Sequence, residues 1–288
     1  KREKGKGWDK VAGHEELKRQ LEEAFINKIA LEKNGCDVSL PNGILLYGQH
    51  GTGKTRFAQA FAEQAGCRFV EINTMQSDED VIDDLHNELK KSKKAYFSPE
   101  TPKKRTIILL DDFDSIAKLS KDEESMLQNK GFDFTDTNVG QLSEILSDCA
   151  DKYKATIFMT TNHPRKVSSE LLKEELTPYQ IFLGPPGPLD ASKIFKYHLN
   201  GFTDEQIDYM RLGNEVGKAI EDELAYSAQG IVDVVDYAKE NKQGAQVAEP
   251  DLLNAIENVE PDISKETFNA FLDDMIELRA GLEGKGDE

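Results

Sequence analysis

One eight-residue segment, Gly48-Gln49-His50-Gly51-Thr52-Gly53-Lys54-Thr55, constrains this chain more than any other. It fits the pattern G-x-x-x-x-G-K-[ST]. It follows the apolar run Ile44-Leu45-Leu46-Tyr47 and opens a helical pattern over residues 55–65. A strand that turns through glycines into a helix leaves successive backbone N–H groups pointing into the turn, and the helix N-terminus adds partial positive charge. Such a loop cradles phosphate groups. Within it Lys54 is placed to neutralise β- and γ-phosphates, and the Thr55 hydroxyl to ligate Mg2+.

The rest of the chain supplies the sheet that such a loop needs. Short apolar runs of buried-strand type recur at residues 68–72, 106–110, 156–160 and 180–183, and helical patterns occupy 14–33, 78–91, 139–151 and 168–175. Strands that are apolar throughout and alternate with helices predict a parallel sheet covered on both faces. The expected fold is therefore an α/β P-loop NTPase αβα sandwich with five parallel strands. Residues 95–105 read as a loop, and 120–138 as a mobile insertion. The breaker cluster Gly184-Pro185-Pro186-Gly187-Pro188 marks a boundary. Beyond it only helical patterns appear, at 191–199, 203–211, 214–226, 230–241, 250–259 and 265–282, which predicts a small all-α lid with a fraying tail. These signals divide the chain into an N-terminal segment (1–13), a phosphate-loop subdomain (14–186), a lid (187–263) and a C-terminal helix and tail (264–288).

Phosphate chemistry also requires acid at the end of a neighbouring strand. Ile107-Ile108-Leu109-Leu110 runs into Asp111-Asp112-Phe113-Asp114. Asp111 then shares Mg2+ with Thr55, and Asp112 stands where a carboxylate orients an attacking water.

Composition narrows the classes further. The chain has 36 Lys and Arg against 54 Asp and Glu, a net charge of −18. Residues 187–288 hold 9 basic and 23 acidic groups, residues 56–186 hold 17 and 23, and residues 1–55 hold 10 and 8. Acidity concentrated in the lid argues against nucleic acid as a partner but not against a small polyanion. Three widely spaced cysteines form neither a disulfide framework nor a zinc pattern, and read as thiols of a reducing compartment. No apolar run approaches the roughly 20 residues of a membrane span, and no signal peptide is evident. The expected location is cytoplasmic or another reducing compartment, with no membrane partner. The chain begins at Lys1 rather than Met, so sequence upstream of it is expected.

Taken together, these motifs resemble the AAA family of AAA+ ATPases. Trp8-Asp9-Lys10-Val11-Ala12-Gly13 is similar to the family's opening segment, and Leu40-Pro41-Asn42-Gly43 to its approach to the phosphate loop. Thr160-Thr161-Asn162-His163-Pro164 resembles the sensor-1 segment, Lys193–Leu199 the lid helix carrying a histidine, and Tyr226-Ser227-Ala228-Gln229-Gly230 the Ser-Gly-Ala-Asp segment. The resemblance implies a nucleotide site in which Val11, Ala12, His198, Ala228 and Gln229 lie beside base and ribose. It places Gln49, His50, Gly51, Thr52, Gly53, Lys54, Thr55 and Arg56 around the phosphates. Lys54, Asp111, Asp112 and Asn162 carry the chemistry in that reading, with Thr55 and Asp111 as the metal ligands. It further implies ATP, ADP and Mg2+ as ligands, a protein substrate or adaptor not identified by the sequence, and a homo- or hetero-oligomeric ring, hexameric in the family.

Several positions depart from the family pattern. Gln49 and His50 replace two prolines, and Asp112 replaces a glutamate. The two arginine-finger positions fall on Leu176 and Tyr179, with Lys173, Arg165 and Arg211 as the nearest cations. Thr74-Met75-Gln76 stands where threading members carry an aromatic pore loop. Two functions therefore stay open: a ring ATPase that remodels proteins, and an ATP-binding switch or structural ring subunit with little hydrolysis of its own.

Overall fold

Buried β-branched and leucine side chains build the centre of the molecule. In a computed structural model describing residues 5–100, 102–119, 133–203 and 206–283, five strands form one parallel sheet. They are β1 (Gly43–Tyr47), β2 (Arg68–Ile72), β3 (Thr106–Leu110), β4 (Ala155–Thr161) and β5 (Tyr179–Phe182), in the order β2-β3-β4-β1-β5. The three inner strands are buried along their whole length, as a sheet covered on both faces requires, while edge strands β2 and β5 are partly exposed. The fold is thus the expected α/β sandwich.

Contacts divide the chain into two compact units. The first comprises residues 1–10, 16–47 and 54–182 and contains the whole sheet. Its helices are α1 (Glu15–Leu21), which begins at the unit's edge and continues through a π-helical turn (Glu22–Ile26) into α2 (Asn27–Lys33), then α3 (Lys54–Gln64), α4 (Asp78–Phe97) and α5 (Asn138–Lys152). Phe61 of α3 meets Phe158 of β4 at a 5.0 Å ring separation and Trp8 at 5.9 Å, so aromatic packing fixes α3 and the N-terminal segment together. At the other end of the sheet Arg105 is 3% exposed. Its guanidinium donates to both carboxylate oxygens of Glu32 at 2.8 Å and to the Ala150 carbonyl at 2.8 Å.

The second unit comprises residues 11–15, 48–53 and 183–288. It is helical: α6 (Pro188–Leu199), α7 (Tyr209–Gly217), α8 (Ala228–Asn241), α9 (Glu249–Asn258) and α10 (Lys265–Glu283), with one antiparallel bridge between Ala225 and Ile263. Phe195, Leu199, Leu212, Ile231, Val234, Val235 and Leu252 form its core.

Three secondary-structure expectations are corrected. Residues 95–97 continue α4 instead of starting a loop, and the helix stops only where Ser98 precedes Pro99. Residues 168–175 form consecutive tight turns and no helix. There the Thr177 hydroxyl takes the Leu171 carbonyl (2.8 Å) and the Gln180 amide takes that of Leu172 (2.7 Å), groups a helix would have used itself. Finally, the two helices expected at 203–211 and 214–226 are replaced by α7 and a short 3-10 turn (Lys218–Asp222). The expected patterns pass over Leu212 and Gly213, yet both lie inside α7, and a Cβ on Gly213 would lie 2.1 Å from the Pro188 carbonyl oxygen of α6. The glycine permits a close helix crossing. The insertion expected at 120–138 falls mostly outside the described residues. Its far end forms a 3-10 turn (Phe134–Asp136) and the Thr137 cap of α5. Residues 284–288 of the expected tail, and 1–4 of the N-terminal segment, also lie outside.

Candidate nucleotide site

The carboxyl ends of the strands collect the chemistry, as is general for open parallel sheets. Leu110 of β3 pairs with Met159 of β4, so the next residues, Asp111 and Thr160, emerge side by side. Thr55, in the first turn of α3, donates from Oγ1 to Asp111 Oδ2 at 2.8 Å. Lys54, one residue earlier and 7% exposed, donates from Nζ to Asn162 Oδ1 at 2.7 Å. Asn162 Nδ2 donates in turn to Asp112 Oδ1 at 3.1 Å. In the sheet unit three hydrogen bonds thus join the five expected residues into two groups, Lys54–Asn162–Asp112 and Thr55–Asp111. Asp112 adopts a left-handed backbone (φ 50°), an uncommon state for a non-glycine residue that re-aims the chain after β3.

Burial pushes the Lys54 ammonium down from its ordinary 10.5 to about 8, against the opposing pull of Asp111, Asp112 and Asp114. It therefore keeps its charge at neutral pH while carrying little solvent, as suits a cation that must exchange water for phosphate oxygens.

Three groups at this end were not singled out from the sequence. Thr160, fully buried, donates from its hydroxyl to Asp111 Oδ1 and accepts from the Asp112 backbone N–H at 3.2 Å. Thr74 Oγ1 donates to the Asp111 carbonyl at 2.5 Å, and Thr161 Oγ1 to the buried Asp114 carboxylate at 2.5 Å. Threonines at strand ends carry a β-propensity signal that masks a polar role, so only strand register could have found them.

In the second unit the glycine loop has the backbone its sequence demands. Gly51 and Gly53 have φ of 79° and 90°, and a Cβ on Gly48 would lie 2.1 Å from the Leu183 carbonyl oxygen. Thr52 is buried and donates to the Gln49 carbonyl at 2.9 Å. Gln49 is buried and donates to the Thr267 carbonyl at 3.4 Å, so it packs into the unit at a position where the family pattern has proline. His50 is exposed, as is Arg56 on α3. The Gln229 backbone N–H donates to the Gly51 carbonyl at 3.1 Å, which brings two expected residues together. Ser227, the N-cap of α8, hydrogen-bonds Asp262 through both its N–H (2.7 Å) and its hydroxyl (2.5 Å). Ala12 and Ala228 pack against the same helical core. Val11 follows the Trp8 anchor, and His198 is half-buried on α6 with its ring 5.0 Å from that of Tyr197.

Both halves fit their implied ligands. Gly51 and Gly53, both at positive φ, add no side chain at their two positions of the loop, and the hydroxyl and carboxylate of Thr55 and Asp111 are hard oxygen donors of the kind Mg2+ takes.

The chain is similar to known proteins in sequence and in fold. Residues 44–185 match the family model described as ATPase family associated with various cellular activities (AAA). A mitochondrial sorting homolog of Caenorhabditis elegans is 32% identical over 181 residues, covering 62% of this chain and 49% of that protein. Vacuolar protein sorting-associated protein 4 of Dictyostelium discoideum is 26% identical over 235 residues, covering 78% and 50%. The chain thus spans about half the length of these relatives. Among solved structures, the FIGL-1 AAA domain in complex with ADP superposes with a TM-score of 0.65 at 17% identity, covering 93% of this chain and 89% of that one. That likeness is one of fold.

Proposed function

We propose, from the premise that this chain belongs to the AAA family of ATPases through residues 44–185, that it binds Mg-ATP and couples its binding and hydrolysis to protein remodelling in a ring assembly. The observation that carries this reading is the chain of hydrogen bonds Lys54–Asn162–Asp112 beside Thr55–Asp111. Backbone N–H groups of residues 49–53 would hold the phosphates, with Lys54 neutralising them and Arg56 at the helix entrance. Val11, Ala12, His198, Ala228 and Gln229 would border the base and ribose. Thr55 and Asp111 would hold Mg2+, whose chemistry when bound is to neutralise charge that develops on the phosphate oxygens. Asp112, steadied by Asn162, would orient water for in-line attack and take up its proton. Protein partners are a substrate or adaptor and further ring subunits, in a reducing intracellular compartment. No helix among the described residues is long and apolar enough to cross a membrane.

A second reading, a nucleotide-dependent switch or structural subunit that hydrolyses slowly, is favoured by what stands at the arginine-finger positions. Leu176 is 5% exposed and Tyr179 opens β5. Two of the three candidate cations form ion pairs, Lys173 with Glu170 at 2.5 Å and Arg211 with Glu249 at 2.8 Å. Because an arginine finger contributes about 10³–10⁵ in rate, hydrolysis would then depend on a partner that supplies one. Turnover of purified protein with Mg-ATP separates the two readings: about 1 s⁻¹ or faster overturns the slow switch, and a much lower rate raised by a second subunit supports it.

A further inference from the structure

At the strand ends of the sheet unit, the register of β3 and β4 sets a threonine hydroxyl between Asp111 and Asp112. Thr160 is fully buried, and its Oγ1 uses its single proton on Asp111 Oδ1 and one lone pair on the Asp112 N–H at 3.2 Å. One side chain therefore ties the expected metal ligand to the expected water-orienting acid. Thr160 is β-branched and sits in a strand, so χ1 is stiff and the hydroxyl has one aim. Its anchorage acts on the residue that most needs it. Asp112 is exposed, left-handed at φ 50°, and one methylene shorter than the glutamate of similar ATPases. A left-handed non-glycine residue persists only when its surroundings over-determine it, and the Thr160 bond to its N–H is the contact that does so from β4.

We propose that Thr160 is a positioning residue for ATP hydrolysis: it fixes the Asp111 carboxylate and the Asp112 backbone relative to one another and so sets the aim of a short catalytic acid. The proposal rests on the reading of this site as a Mg-ATP site.

Two variants separate the hydroxyl from the packing. Thr160→Val keeps the volume and removes both hydrogen bonds, while Thr160→Ser keeps both and loses the methyl. In the nucleotide-free protein, hydrogen exchange of the Asp112 amide should accelerate about tenfold in Thr160→Val, as loss of one buried hydrogen bond implies, and much less in Thr160→Ser. With Mg-ATP, Thr160→Val should lower kcat by about 10²-fold, the scale of a 1 Å misplacement, with KM little changed, and Thr160→Ser should restore most of it. Affinity for fluorescent ATP in EDTA should be the same in all three proteins. Equal Asp112 exchange in wild type and Thr160→Val overturns the tie, whatever nucleotide does. Faster exchange with unchanged kcat, or equal losses in Val and Ser variants, overturns the positioning role. If wild type binds no Mg-ATP, the site reading fails and the role falls with it, while the exchange result still reports on the tie by itself.

Discussion

Lys54 Nζ and Asn162 Oδ1 lie 2.7 Å apart, and the other end of the same amide reaches Asp112 Oδ1 at 3.1 Å. A single neutral side chain thus links the buried cation that follows the glycine loop to the acid placed to orient water. Neither end can shift without disturbing the other.

Removing that link should separate binding from chemistry. Asn162→Ala leaves Lys54 and the loop able to take phosphate, so nucleotide affinity should stay within a few-fold of wild type. Turnover should fall by about 10²-fold, because Asp112 loses its side-chain anchor. Steady-state kinetics beside equilibrium binding check this, and an equal fall in both would place Asn162 in ground-state binding instead.

Asp112 tests whether geometry limits the reaction. Asp112→Glu restores a methylene and extends the carboxylate toward bulk solvent, where the residue is already exposed. Turnover measured with saturating Mg-ATP should rise, by up to about 10²-fold if the short acid is limiting. A fall would show that the present backbone, with Asp112 left-handed, is matched to aspartate.

The far end of the sheet makes a stability prediction. Arg105 is nearly fully buried and its charge is balanced by Glu32. Glu32→Ala should cost about 3–5 kcal/mol, because it strands a buried guanidinium, read by urea or thermal unfolding. The Arg105 hydrogen bonds hold the Glu32 carboxyl below its ordinary 4.5. A carboxyl with a lowered folded pKa stabilises fully above its unfolded value, so this contribution is present above about pH 4.5 and disappears as pH falls through the lower folded value. The pH dependence of wild-type stability below 4.5 should flatten in Glu32→Ala.

Gly213→Ala weighs propensity against packing. Alanine is favoured over glycine inside a helix by about 1 kcal/mol, yet its Cβ would meet the Pro188 carbonyl oxygen of α6 at 2.1 Å. Forcing two helix backbones apart costs about 1–3 kcal/mol, so the variant should melt lower than wild type. A higher melting temperature would mean the crossing relaxes freely.

The sheet was legible because its inner strands hold few polar side chains besides threonine, a pattern that burial on both faces imposes and that residues 106–110 and 156–160 show. The loop at 48–55 was legible because phosphate binding demands glycine at fixed offsets. What misled was local punctuation with a tertiary cause. Gly213 falls between two expected helical patterns but serves a helix crossing inside α7, and residues 168–175 have helical spacing but lose their carbonyls to Thr177 and Gln180. In the site, charged residues announced themselves, whereas Thr160 and Thr74 did not. Their roles depend on which strands are neighbours, and strand order β2-β3-β4-β1-β5 is written in no single segment.

A Mg-ATP site made of the glycine loop, Lys54 and the Thr55–Asp111 pair must take ATP more tightly with Mg2+ than without it. Isothermal titration of ATP, with Mg2+ and with EDTA, into wild type, Lys54→Ala and Asp111→Ala tests it most directly. Wild type should bind ATP saturably, and more tightly with Mg2+. Lys54→Ala should lose about 10–100-fold in affinity, the worth of charge-assisted bonds to phosphate, and Asp111→Ala should lose the Mg2+ enhancement. Binding by Lys54→Ala as tight as by wild type, or no binding by wild type at all, would contradict it.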